Sequence, residues 1–231
     1  QRELSELIPL PETKLKSGTV LVVGLGNRGV TPDSLGPRVA ERVFVTRHIK
    51  EHMPEAFDFD IPSVCAIAPG VLGVTGVETM DIVFGVANKV KPDLIIAVDA
   101  LASRRAARIS TTIQLSDSGI SPGSGVGNTR ADLSRANLGV PVIAVGVPLV
   151  VYASTISQDT ISLIADETGL HGDEERLREL AEQVIAKHMG DFIVTPKDID
   201  VIVEDMAGII ANAINSALFG NNLEQVRNML A

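Results

Sequence analysis

Tryptophan is absent, tyrosine occurs once, and aromatic residues make up only 3% of the 231 residues. Stacking platforms for sugars or nucleic-acid bases are therefore scarce. Positive charge is also in the minority, with 20 Lys and Arg against 29 Asp and Glu and a formal net charge of −9. Without a phosphate-neutralising surface, nucleic acid is excluded as an expected partner. The single cysteine, Cys65, leaves no internal disulfide framework and no cysteine-based zinc site, and it fits a reducing compartment. No apolar run reaches membrane-spanning length, and Gln1-Arg2-Glu3 is too acidic and polar to open a secretory signal. The expectation is a cytoplasmic protein with no membrane partner, and an amino end that opens on Gln in place of Met implies trimming.

Apolar material is plentiful at 45% of the chain, enough for one well-buried domain. Continuous β-branched runs at Val20–Val23, Val64–Ala68, Leu94–Val98 and Val142–Val147 read as strands buried on both faces. Helical stretches from about Ser34 to His52 and Glu78 to Val90 separate the first three. This β-α-β-α-β order predicts an α/β fold with a mostly parallel sheet and helices on both sides. A short strand at Thr111–Leu115 follows too closely for a crossover helix and is expected antiparallel at an edge. Helices are predicted from Val150 to Asp166, from Asp173 to Met189 with Leu177, Leu180 and Val184 on one face, and from Pro196 onward behind a Thr195-Pro196-Lys197-Asp198 cap. Asn221-Asn222 ends that helix and begins a short terminal one. Residues 1–16 read as an unanchored leader and 17–231 as a single domain whose last helices pack on the sheet.

Four motifs compete for the chemistry. Gly24-Leu25-Gly26-Asn27-Arg28-Gly29 matches the dinucleotide fingerprint in letters, yet Thr31-Pro32 delays the helix and the second strand ends without the acidic residue that would hold a ribose. Gly119-Ile120-Ser121-Pro122-Gly123 matches the nucleophile elbow, but Pro122 lacks the N–H that an oxyanion hole would need there. His48-Ile49-Lys50-Glu51-His52 spells an inverted zinc-protease motif, but Pro54 closes the helix and no third ligand stands out. The fourth signal is a pair of aspartates. Asp33 lies just beyond the first strand and Asp99 ends the third, so a parallel sheet brings both to its carboxyl edge, where such folds bind ligands. A helix cap accounts for Asp33 alone. A carboxylate directly after an apolar strand is harder to explain without function, and two such groups at one site would work as acid and base on a water.

Gly24-Leu25-Gly26-Asn27, Thr31–Pro37, the run Ala68-Pro69-Gly70-Val71-Leu72-Gly73-Val74-Thr75-Gly76, Val98–Leu101, Pro122–Asn128 and Thr195–Met206 together resemble the germination protease family of spore-forming bacteria, collinearly from about Leu21 to Leu218. The resemblance implies a three-layer α/β/α sandwich similar to the hydrogenase maturation protease fold. It also implies an endopeptidase that degrades small acid-soluble spore proteins during germination, in the cytoplasm of the spore core, made as a zymogen and assembled as a homotetramer. The maturation proteases hold nickel through a Glu and an Asp at the positions of Asp33 and Asp99, whereas germination proteases use two aspartates directly, without a cofactor. The resemblance thus makes Asp33 and Asp99 the expected catalytic pair and Asn27, Gly73, Thr75, Gly76, Ser121, Gly123 and Gly125 the expected substrate-binding residues, the glycine loops aligning an extended substrate backbone. The family usually has His where Ser121 stands and an acidic residue near Tyr152. The alternatives are a zinc-dependent protease using His48 and His52 and a catalytically inactive binding relative.

Overall fold

The computed structural model describes residues 1–57, 59–122, 131–169, 174–188 and 192–230. Its sheet has six strands: β1 (Thr19–Gly24), β2 (Ser63–Ile67), β3 (Leu94–Ser103), β4 (Gln114–Ser116), β5 (Val142–Tyr152) and β6 (Ile193–Val194). Their order is β2-β1-β3-β5-β4, with β6 paired to β5. The three inner pairings are parallel, and β4 and β6 run antiparallel to β5. The uninterrupted apolar runs follow from burial on both faces. On one face Val20, Val22, Leu94, Ile96, Val98 and Val145 meet two helices, α3 (Leu35–Arg42) and α10 (Ile199–Phe219), through Leu35, Val39, Val203, Ala207 and Ile214. On the other, Leu21, Val23, Ile95 and Ala97 meet α6 (Thr79–Val90) through Val83 and Ala87. Helix, sheet and helix form three layers, as expected.

Several boundaries differ from the sequence reading. The helix predicted over 34–52 breaks into α3 and α4 (Arg47–His52). Buried Asn215 of α10 causes the break: its Oδ1 accepts the Phe44 N–H at 2.9 Å and its Nδ2 donates to the Arg42 carbonyl at 3.1 Å. Those backbone groups are satisfied without continuing the helix. Strands β3 and β5 both run well past their predicted ends, and Val150–Tyr152 belong to β5 rather than to a helix because Val151 and Tyr152 pair with Val194 and Ile193. The following helix, α8, therefore begins at Ala153 and ends at Thr168. Thr195 donates to the Leu149 carbonyl at 3.0 Å instead of capping, and α10 starts at Ile199 behind Asp198.

The expected burial of the Leu177, Leu180 and Val184 stripe is also corrected. On α9 (Glu174–His188), which packs on α8, all three remain exposed. The amino end is anchored where a free leader was expected. There α1 (Arg2–Leu7) sets Leu4 into the α10 face of the core, Gln1 reaches the Ser216 carbonyl, and α2 (Glu12–Ser17) follows. The stretch Ile199–Leu230, including the terminal helix α11 (Leu223–Leu230), is long and apolar enough to cross a membrane by length and composition, contrary to the expectation that no run would be. Part of that apolarity faces the interior, where Val203, Ala207, Ile210, Ile214 and Val226 are buried, while Val201, Ile209 and Met229 stay exposed.

Candidate active site

The site begins where β1 stops. Leu25 donates its N–H to the Val98 carbonyl at 2.8 Å, tying the end of β1 to β3 one residue short of Asp99. The chain then reverses through Gly26 at φ +112° and returns as a 3-10 turn over Thr31–Asp33 laid directly on the strand end. A Cβ on Gly26 would stand 2.1 Å from the Asp33 carbonyl oxygen, and one on Gly36 would stand 2.5 Å from the Val98 carbonyl oxygen. Gly24 and Gly26 of the fingerprint-like motif, with Gly36 beyond it, thus serve close backbone packing that a side chain would block, whereas a Cβ on Gly29 would meet only the Asn27 side chain at 3.3 Å.

That packing fixes Asp33. Its Oδ2 accepts the Asn27 N–H at 2.7 Å, so the carboxylate points back at the glycine turn and does not cap α3, whose first turn has no side-chain cap. Asn27 is held in turn, its Oδ1 accepting the Gly29 N–H at 2.9 Å. Burial raises the Asp33 carboxyl above its ordinary 3.8, and the Asn27 N–H works against that rise.

Asp99 was expected at the end of its strand, but it sits inside β3, with Gly146 of β5 as its partner. It is nonetheless at an edge, because β1 ends at Gly24, opposite Val98, and only β5 accompanies β3 beyond that point. Asp99 is 5% exposed, and its Oδ1 accepts the N–H of Ala100 at 2.9 Å. Burial first and the charge of Asp33 second push its carboxyl up to about 8, with the Ala100 N–H acting in the opposite direction. Near neutral pH the pair therefore holds one proton on the buried Asp99 and one negative charge on the more accessible Asp33.

The other expected positions divide. Asn27 meets the Asp33 carboxylate through its backbone N–H. Gly73 and Thr75 lie in a single helical turn, α5 (Leu72–Thr75), closed by Gly76 at φ +71°. Thr75 Oγ1 lies within hydrogen-bond reach of the Val71 and Val77 carbonyls, at 3.2 and 3.0 Å, and shares its one proton between them, so the segment satisfies itself as a turn. Ser121 is half-buried beside the bridge between Ile120 and Leu133. Gly123 and Gly125 lie outside the described residues. His48 and His52 sit on the six-residue α4. Among the described residues no three His, Cys, Asp or Glu side chains come together to hold a metal, so His48 and His52 find no third ligand there.

One feature escaped the sequence reading. The shared extension of β3 and β5 beyond Asp99 borders a cavity of about 520 Å³ flanked by Arg104 and Arg108. The signal was available as a basic run, Arg104-Arg105 and Arg108, in an acidic chain just after the Asp99 strand.

The family model described as germination protease matches residues 2–176 and 168–229. A germination protease of Clostridium acetobutylicum is 49% identical over 230 residues, covering 94% of this chain and 70% of that protein. The one from Caldanaerobacter subterraneus is 48% identical over 240 residues, covering 98% and 73%, and that of Bacillus cereus is 43% identical over 248, covering 88% and 67%. Among solved structures, the NiFe hydrogenase maturation protease HycI from Thermococcus kodakarensis aligns with a TM-score of 0.45 and 17% identity, over 91% of this chain and 97% of that one. With a family match spanning nearly the whole sequence and relatives approaching half identity, the chain belongs to the germination protease family.

Proposed function

We propose that this peptidase is an endopeptidase in which Asp33 and Asp99 divide the proton work of amide hydrolysis. The observation that carries the reading is the asymmetry of the pair: a buried Asp99 kept protonated to about pH 8, partly by the charge of Asp33. Asp33, the ionised and more open member, takes a proton from water, whose oxygen attacks the scissile carbonyl carbon. Asp99 gives its proton to the amide nitrogen as the carbon–nitrogen bond breaks, so the amine departs neutral. The proton now on Asp33 then passes to Asp99, which restores the starting state. An acid that ionises near 8 is well matched to protonating a leaving amine at neutral pH.

The substrates are small acid-soluble spore proteins, cut in the spore core at germination by a homotetramer formed from a zymogen. The family assignment supports the peptidase chemistry, and the resemblance at the dyad and glycine loops supports the finer reading. Incubating the purified chain with a small acid-soluble spore protein and mass-mapping the fragments tests it. Discrete internal cuts that vanish in Asp99→Asn are expected, and an intact spore protein overturns it. Sedimentation tests the tetramer.

A further inference from the structure

Strand β3 outruns its neighbours on one side only. Strands β1 and β2 stop level with Ala97 and Val98, while β3 continues over Asp99–Ser103 beside β5. At about 3.3 Å per residue, the unaccompanied edge is roughly 16 Å long. The backbone groups of a strand point alternately to its two sides, and two bonds fix that alternation here. Ile95 donates its N–H to the Pro141 carbonyl, toward β5, and the Val98 carbonyl accepts the Leu25 N–H, toward β1. Ala100 and Ala102 therefore face the side that β1 has left. The register shift between Leu101 and Ala102 leaves this unchanged, because the extra residue, Leu149, belongs to β5.

The described chain does not close this edge. The Ala100 N–H reaches Asp99 Oδ1 at 2.9 Å, while the Ala100 carbonyl and the Ala102 N–H and carbonyl have no partner among the described residues. A continued β1 would have offered the Asn27 N–H to the Ala100 carbonyl, but that N–H is turned to Asp33. The outer margin of the sheet is treated in the opposite way. There the Val64 carbonyl and N–H of β2 are answered by the N–H and Oγ1 of Thr46, at 2.9 and 3.0 Å. Strand edges are ordinarily covered like this, and half-buried backbone groups left unpaired are costly. Ala100 and Ala102 are half-buried, and their open edge begins at the dyad. The bond from Ala100 draws the Asp99 carboxyl to the same side, so the acid stands at the head of the edge. An extended peptide is the ligand that matches such a row of groups. We propose that the substrate binds as an added strand in the slot beyond Gly24, its main chain pairing with Ala100 and Ala102 and its scissile amide at the Asp99 end. In either direction the pairing uses the N–H groups of two substrate residues spaced two apart, one on each alanine carbonyl, and one substrate carbonyl on the Ala102 N–H. The residue between them turns its N–H away. Recognition of this kind demands a substrate that is unfolded at the cut. The proposal rests on the peptidase reading above.

The test uses the intact chain. Peptides spanning each mapped cut are prepared with every main-chain N–H except the scissile one methylated singly. Methylation at two positions spaced two residues apart should each lower kcat/KM about tenfold or more, the worth of one hydrogen bond, while the position between them tolerates it. Ala102→Pro removes an N–H from a side where no strand pairs, so it should keep its melting temperature and raise KM about tenfold with kcat little changed. If no methylation matters, if the losses run evenly through consecutive positions, or if a folded Ala102→Pro keeps its KM, the slot is not a strand site. Should Ala102→Pro fail to fold, the methyl scan on wild type decides. Binding to Asp99→Asn, read by fluorescence anisotropy, separates these outcomes from failure of the peptidase reading. Overlapping peptides of the spore protein give the tightest binder, and its methylated series is titrated in the same way. Alternating losses of affinity support the added strand even if the wild type cuts nothing, and affinity that is absent or uniform across the series overturns it whether or not the wild type cuts.

Discussion

Replacing Asp99 by Asn should make the protein more stable, by an amount that depends on pH in a defined way. An ordinary aspartate ionises near 3.8 and Asp99 near 8. Between those values the unfolded chain ionises at this position while the folded protein keeps its proton. Stability from this group is therefore fully present below about pH 4 and is lost as pH rises to about 8. The slope is about 1.4 kcal/mol per pH unit. Over roughly four pH units the loss is on the order of 5 kcal/mol, a large share of the 5–15 kcal/mol typical of a domain. Asn has nearly the same shape, still accepts the Ala100 N–H, and carries no proton to lose. Urea unfolding of wild type and Asp99→Asn at pH 4.5, 6, 7.5 and 9 should show a gap that widens up to pH 8 and then levels. Because the charge of Asp33 helps raise Asp99, the widening should stop at a lower pH when Asp33→Asn is the background. A gap that is constant with pH would refute a buried, protonated Asp99, and with it the division of roles in the dyad.

Kinetics should follow the same asymmetry. Asp33→Asn and Asp99→Asn should each reduce kcat by on the order of 1,000-fold or more, the double change costing little beyond either, because the two act as a unit. The wild-type kcat/KM should fall as pH rises through about 8, where Asp99 loses its proton, and a rate that climbs steadily past pH 9 would contradict this. Gly26→Ala, at φ +112° with its Cβ 2.1 Å from the Asp33 carbonyl, should cost about 2–4 kcal/mol in unfolding experiments and reduce turnover with it. Gly73→Ala, with nothing within 4 Å of the added carbon, should keep its melting temperature. Changing both His48 and His52 to Ala should leave cleavage intact, and activity that disappears and returns only with added zinc would restore the zinc reading.

The strands of the sheet were legible because two-sided burial writes itself as uninterrupted Val and Ile, as at Val20–Val23 and Leu94–Val98. Asp99 stands out in the sequence because a charge directly after such a run is out of place, whereas Asp33 carries no such local signal and is singled out only by its place at the same edge of a parallel sheet. Strand and helix ends were not. The break after Arg42 depends on Asn215, 173 residues away in sequence, and the extension of β5 depends on pairing with Ile193 and Val194. Neither dependence leaves a local pattern. The packing role of the glycines near Asp33 was hidden, since a phosphate-binding turn and a backbone-packing turn use the same letters and rejecting the first does not reveal the second. The arginine cavity went unread because it is assembled from three strands and the start of a helix.

The aspartate pair is located by main chain resting on main chain. Gly24 lies against the backbone of Gly36, Gly36 against Leu25 and Val98, and Gly26 against Asp33. These contacts are between backbone atoms, so exchanging Val for Ile or Leu for Met in the hydrophobic layers on either side does not touch them. At Gly24, Gly26 and Gly36, by contrast, an added methyl would stand 2.1 to 2.2 Å from a backbone oxygen, so drift in sequence is barred at three positions that bear no functional group at all.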